Sequence, residues 1–73
     1  FLDTEAELRF TELKKWRKKK SEELETPAFV IFSDKTLREI ALKNPQNLQE
    51  LRGIKGIGDV KLAQFGPDLI KGL

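Results

Sequence analysis

The 73-residue sequence contains no cysteine and no histidine. Their absence excludes disulfides, thiolate nucleophiles, the usual zinc ligands and the only side chain that normally titrates near neutral pH. There is also no run of about 18 apolar residues, and residues 1–5 lack the basic and apolar segments of a secretion signal. We expect a soluble, intracellular domain that uses neither metal-ion nor triad chemistry.

The chain is short, which limits the size of its core. A domain of 73 residues buries only about 60% of the surface that its unfolded chain exposes, and this leaves no room for a deep active site. We therefore expect residues 1–73 to form one domain without catalytic residues.

The cations are unevenly distributed, although the net charge is only +2. Residues 14–20, KKWRKKK, hold six cations and no acid, and acidic residues lie on both sides of them. On a helix, Arg17 and Lys20 fall within the apolar stripe, so their stems should pack, and Arg17 is predicted to be mainly structural. The other four are a candidate phosphate-binding patch: Lys14, Lys15, Lys18 and Lys19. The alternative is a solvated helix face without a ligand.

Apolar spacing, capping residues and proline positions predict five helical segments. They cover about residues 5–24, from Ser33 or Asp34 to about 44, 47–52, 59–65, and a last turn after Gly66-Pro67. The apolar run Ala28–Phe32 follows Thr26-Pro27 and has no second strand to pair with, so we expect buried extended chain there. The predicted fold class is all-α, a compact bundle of about five helices.

The second candidate site is the glycine-rich stretch between Leu51 and Ala63. Gly56 and Gly58 permit close backbone approach, and the unpaired amides at the start of the next helix attract anions such as phosphate. Lys55 and Lys61 add positive charge beside these amides, whereas Asp59 competes with a phosphate. The alternative is a plain turn between helices that requires glycine.

Phe29 is the third candidate, because an aromatic side chain in a proline-bounded segment can stack on an unpaired base. The simpler interpretation is that Phe29, Val30, Ile31 and Phe32 together fill the core. Trp16, at the edge of the helix stripe, is likewise expected to be a core residue.

The combined pattern resembles the HRDC domain, the helicase-and-RNase-D C-terminal module of RecQ-type DNA helicases and some exoribonucleases. The resemblance covers about residues 8–70. It is carried by Leu13–Arg17, Pro27–Phe32, Asp34 to Leu37, Leu51, Ile54, Gly56–Gly58, Lys61-Leu62 and Phe65-Gly66. The resemblance implies a five-helix bundle with a helix-hairpin-helix-like turn that binds DNA weakly. It also implies that Asp34 is a structural acid, which we expect to cap the second helix or to pair with Arg17.

The resemblance further implies that the chain is a fragment of a larger protein, most like a bacterial RecQ-type helicase acting in DNA repair and recombination. Its expected partners are single-stranded or branched DNA and the parent helicase core, with no membrane partner, and the domain is expected to be a monomer in the bacterial cytoplasm, at the nucleoid. No G-x-x-x-x-G-K-[ST] motif occurs here, so ATP and Mg²⁺ would belong to the parent and the domain itself needs no cofactor. The alternatives are a protein-interaction module and the equivalent domain of an RNase D-like exoribonuclease.

Overall fold

The computed structural model describes residues 4–71, which form five helices and no strand. The helices are α1 (Thr4–Leu24), α2 (Ala28–Ile31), α3 (Asp34–Lys43), α4 (Leu48–Arg52) and α5 (Asp59–Ile70). The predicted all-α class is therefore confirmed. None of these helices is long and apolar enough to cross a membrane.

The long helix α1 packs against both α2 and α3. Ala6 and Leu13 of the predicted apolar stripe are buried, whereas Leu24, in the last turn, is 45% exposed. The helix ends because Glu25 adopts a left-handed conformation with φ 51°, after which the Thr26 amide donates to a carbonyl of the last turn. This C-terminal arrangement satisfies a carbonyl that would otherwise lack a helical partner.

The segment predicted as extended chain is instead the single helical turn α2, so that prediction was wrong. An extended segment would send adjacent side chains to opposite faces, but Ile31 and Phe32 are both buried, 2% and 1% exposed. Pro27 suits the start of a turn because its fixed φ is helical and its missing N–H would have no partner there. The turn also leaves Phe29 and Val30 in solvent, 72% and 47% exposed, so the prediction that all four residues fill the core was half wrong.

The next two helices begin at the predicted capping residues. Ser33 caps α3 by accepting a hydrogen bond from the Thr36 amide at 3.2 Å, and Asn44, with φ 46°, ends the helix. Asn47 caps α4 by accepting from the Glu50 amide at 2.8 Å. These ends follow from hydrogen bonds between residues three apart, which makes them readable from sequence.

The predicted break at Gly66-Pro67 was also wrong, because α5 continues through Pro67 to Ile70. Proline also restricts the residue before it, partly through a clash with that residue's Cβ, and Gly66 has no Cβ. Gly66 does not mark the end of a helix. Its missing side chain allows close packing instead, since a Cβ there would lie 2.8 Å from Cδ2 of Leu48. Gly66 thus leaves room for the Leu48 side chain where α4 packs against α5.

The buried residues form one apolar cluster to which every helix contributes. Its members are Leu13, Ile31, Phe32, Leu37, Ile40, Ala41, Leu51, Ile54, Ile57 and Phe65. Trp16 packs against this cluster, as predicted, with its ring centroid 6.1 Å from that of Phe32 and 5.6 Å from that of Phe65. These aromatic contacts join α1, the residue after α2, and α5.

Candidate nucleic-acid interface

The four α1 lysines of the predicted patch are all exposed: Lys14, Lys15, Lys18 and Lys19. They do not share one surface. The Lys14 ammonium lies 4.7 Å from the centroid of the Phe10 ring, which Arg38 of α3 also approaches. Lys19 instead borders a small cavity beside Trp16, on the side of α5. The four lysines thus spread positive charge around α1 and form no single pocket.

Arg17 has the structural role that its position in the apolar stripe predicts. Its Nη1 lies 2.7 Å from Oδ1 of Asp34 and donates to the Phe32 carbonyl at 2.9 Å. The hydrogen bond from Arg17 and the charge beside it lower the pKa of Asp34. Asp34 therefore pairs with Arg17, while Ser33 supplies the cap of α3.

Lys20 also forms salt bridges with acidic side chains. Its ammonium lies 3.1 Å from Asp68 of α5 and 3.4 Å from Glu23 of α1. The hydrogen bond to Asp68 raises the pKa of Lys20. Of the six cations in the run, Arg17 and Lys20 thus connect helices, which separates them from the four exposed lysines.

The glycine-rich stretch forms a tight hairpin between α4 and α5. The Ile54 and Ile57 side chains are buried, 2% and 7% exposed, and anchor the hairpin in the core. Between them the chain turns at Gly56, whose φ of 98° favours glycine. A Cβ at Gly56 would also collide with Oγ1 of Thr36, so the hairpin backbone lies directly against α3.

Gly58 is different, because no atom lies within 4 Å of the place where its Cβ would be. It stands at the N-cap position of α5 without a side-chain cap, at φ −93°. Internal packing therefore does not require glycine here, and the space where a side chain of residue 58 would lie is open. Asp59, which the sequence suggests as a competitor for phosphate, lies 3.1 Å from Arg52.

The two hairpin lysines have different surroundings. Lys55 is exposed and lines a cavity with Gly56 and Thr36. Lys61 is half-buried, with its ammonium 5.5 Å from the centroid of the Phe32 ring. A cation over an aromatic face is attracted by the ring quadrupole. This attraction holds Lys61 of α5 close to Phe32, the core residue that follows α2.

Two further lysines in this region were missed at the sequence level. Lys35 and Lys43, on α3, line the same cavity as Lys55. The available signal was the spacing of Lys35, Glu39 and Lys43, which places three charged residues on one helix face.

Comparison with known proteins places these features in a family. The family model of the HRDC domain matches residues 6–73. The chain is 44% identical over 63 residues to the ATP-dependent DNA helicase RecQ of Bacillus subtilis, covering 86% of this chain and 11% of that protein. It is 41% identical over 69 residues to the ATP-dependent DNA helicase UvrD2 of Mycobacterium tuberculosis, covering 94% and 10%.

A solved structure shows the same fold. The chain superposes on the D. radiodurans RecQ HRDC domain 3 with a TM-score of 0.82 and 28% sequence identity, covering 88% of this chain and 86% of that one. The helices and their glycine hairpin thus define a small all-α accessory domain of helicases, and the chain spans about a tenth of the helicases it matches. The chain belongs to the HRDC family.

Proposed function

We propose that this HRDC domain binds nucleic acid without sequence specificity, with single-stranded or branched DNA as its preferred ligand. The observation that carries the proposal is the position of Phe29. Phe29 is 72% exposed, although Ile31 and Phe32 in the same segment are buried. A flat aromatic side chain held in solvent on an anchored turn is suited to stacking on an unpaired base.

The exposed cations supply the other half of the interaction. Release of counterions from phosphates drives binding that depends on salt and not on sequence, and phosphate contacts position a strand without reading it. The proposed contacts are Lys14, Lys15, Lys18, Lys19, Phe29, Lys55, Lys61 and the backbone at Gly56 and Gly58. The open space at Gly58 supports backbone approach there.

The proposed context is a bacterial RecQ-type ATP-dependent DNA helicase acting in repair and recombination at the nucleoid. The relatives described above are named as DNA helicases, which favours that parent over an exoribonuclease. The parent would bind ATP and Mg²⁺, and the domain would assist or target its motor as a monomer without a cofactor of its own. An intact parent is needed to examine this part of the proposal.

Isotope-labelled protein titrated with a single-stranded oligonucleotide tests binding directly. At low salt we expect chemical-shift changes at Phe29, Lys15, Lys18 and Lys55, and the changes should weaken at moderate salt because phosphate contacts are screened. Unchanged shifts at all four positions at low salt would exclude the proposal.

A second function, docking on the parent enzyme or on a repair partner, is favoured by a different observation. Val60 is 77% exposed on the outer face of α5, and Ala63 and Pro67 are exposed at the following turns of that face. Adding the separate helicase core to the labelled domain distinguishes the two functions. Shifts confined to Val60 and its neighbours would indicate docking through that face, whereas unchanged shifts on addition of the core would argue against docking.

A further inference from the structure

One face of α3 carries a row of alternating charges. Lys35, Glu39 and Lys43 are spaced by four residues and therefore lie along the same side of the helix. The two lysines are separated by eight residues, a rise of about 12 Å, which corresponds to about three nucleotides of a stacked strand. The row is thus long enough to follow a short stretch of nucleic acid backbone.

The glycine hairpin forms the opposite wall. Because Gly56 lies directly against Thr36, the hairpin brings Lys55 to the charged face of α3. The charged face of α3 and the hairpin line an open cavity of about 400 Å³, which we call the α3–hairpin groove. Its lining residues are Lys35, Thr36, Glu39, Lys43, Lys55 and Gly56. Three lysines and one acid give the groove an excess of positive charge.

We propose that the α3–hairpin groove holds the sugar-phosphate backbone of one nucleic-acid strand, with Lys35, Lys43 and Lys55 paired to its phosphates. This inference rests on the proposed function and specifies where on the domain the strand binds. Two elements far apart in sequence converge on the groove, whereas the α1 lysines spread around a single helix. The groove thus collects positive charge from two elements, and a chain of phosphates can pair with it at several points at once.

Glu39 opposes the ligand in this groove. Its carboxylate lies 3.6 Å from the Lys43 ammonium, and the two side chains are 37% and 60% exposed. Exposed ion pairs of this kind are weak, so a phosphate can displace the carboxylate from Lys43. Glu39 therefore lowers the affinity of the groove, and removing its charge should raise affinity.

The first test removes the two α3 lysines. Binding of a fluorescent oligothymidylate to the 73-residue chain is measured by anisotropy over a range of salt concentrations. The double variant Lys35→Gln/Lys43→Gln should bind at least about fivefold more weakly at low salt, and the slope of log affinity against log salt should shrink by about 1.4. Lys71→Gln, which removes one exposed lysine at the end of α5 and outside the groove, is the control and should preserve the slope, whereas Lys35→Gln or Lys43→Gln alone, with the same change of charge, should each shrink it by about 0.7.

The second test changes affinity in the opposite direction, so loss of folding cannot imitate it. Glu39→Gln and Glu5→Gln each remove one acid from an ion pair with a cation, at 3.6 Å from Lys43 and 3.9 Å from Arg9, which is not among the proposed DNA contacts. Both raise the net charge by one. Glu39→Gln should strengthen binding about two- to threefold more than Glu5→Gln, because it releases a lysine in the groove. Equal effects would show that only net charge matters and would overturn the proposal.

The outcomes separate this inference from the proposed function. If Phe29→Ala weakens binding but the double lysine variant matches Lys71→Gln, the domain binds DNA elsewhere and the groove proposal is wrong. If the unaltered chain does not bind at low salt, both proposals fail. Inorganic phosphate, added at constant ionic strength, should compete poorly with the oligonucleotide, since single anions cannot span the three lysines. Competition at equal phosphate concentration would indicate a site for a free anion and not for a strand.

Discussion

The Arg17 guanidinium lies 2.7 Å from the Asp34 carboxylate and 2.9 Å from the Phe32 carbonyl. One side chain of α1 therefore holds the end of α2 and the start of α3. The Arg17 side chain is only 13% exposed, so its stem also packs against neighbouring residues. Arg17 belongs to the architecture of the domain, although it lies within a run of cations that looks like a nucleic-acid-binding segment.

Replacing Arg17 by alanine should destabilise the domain by about 2 kcal/mol, because the Phe32 carbonyl and the Asp34 carboxylate lose their partner and packing is lost. Lys18→Ala is the matched control, since this exposed neighbour should change stability by less than about 0.5 kcal/mol. Urea denaturation followed by circular dichroism measures both values. Equal losses in the two variants would contradict the division between structural and exposed cations.

The same ion pair should make stability depend on acid pH. The lowered pKa of Asp34 means that its carboxylate stabilises the fold above its unfolded pKa, and that this contribution disappears as pH falls through the folded pKa. Asp34→Asn should therefore be less stable than the unaltered chain at neutral pH, and the gap should close below about pH 4. Denaturation curves between neutral and acid pH measure the gap. A constant difference at every pH would mean that the ionised carboxylate is not its cause.

The two hairpin glycines should lose different amounts of stability when replaced by alanine. Gly56→Ala should cost about 2 kcal/mol or more, because φ is positive and the new methyl group meets Thr36. Gly58→Ala should cost less than about 1 kcal/mol, since its methyl group enters open space. If phosphate approaches the start of α5, Gly58→Ala should still weaken DNA binding. Denaturation and anisotropy measured on the same samples separate the effects, and unchanged affinity in Gly58→Ala would argue against phosphate contact there.

Phe29→Ala should leave stability within about 0.5 kcal/mol, because the side chain is 72% exposed. It should lower single-stranded DNA affinity by about 1–3 kcal/mol if the ring stacks on a base. Phe29→Trp should preserve binding and Phe29→Leu should not, since leucine keeps the apolar surface but lacks a flat ring. Full binding by Phe29→Leu would point to a general apolar contact instead. Anisotropy at fixed salt distinguishes these variants.

Local structure was predictable wherever it depends on contacts between residues that are close in sequence or on the family pattern. The caps Ser33 and Asn47 are in place because their side chains bond to amides three residues ahead. The hairpin was recognisable from Gly56 and Gly58, and the pairing of Arg17 with Asp34 was one of two expected roles for that acid. In each case the family pattern or the local spacing contained the information.

The errors arose where distant residues decide the conformation. The turn α2 spans four residues, too few to show a helical period, and its form depends on Ile31 and Phe32 entering a core built by other helices. In α5, which continues through Pro67, Gly66 is buried where Leu48 packs against it. The Gly66-Pro67 pair indicated a break in the helix, because the contact between Gly66 and Leu48 joins two helices and cannot be predicted from the neighbouring residues alone.

By itself, the sequence determined an all-α domain, the caps of α3 and α4, the glycine hairpin, and the exclusion of thiol and histidine chemistry, and it showed the resemblance to the HRDC family. Apart from that resemblance, these properties follow from composition, short-range hydrogen bonds and helical periodicity. Only the tertiary structure decided that Phe29 faces solvent and that Lys35 and Lys43 meet Lys55 across a groove. Both depend on the way elements separated in sequence pack together, since burial and surface charge are properties of the assembled core and not of any one segment.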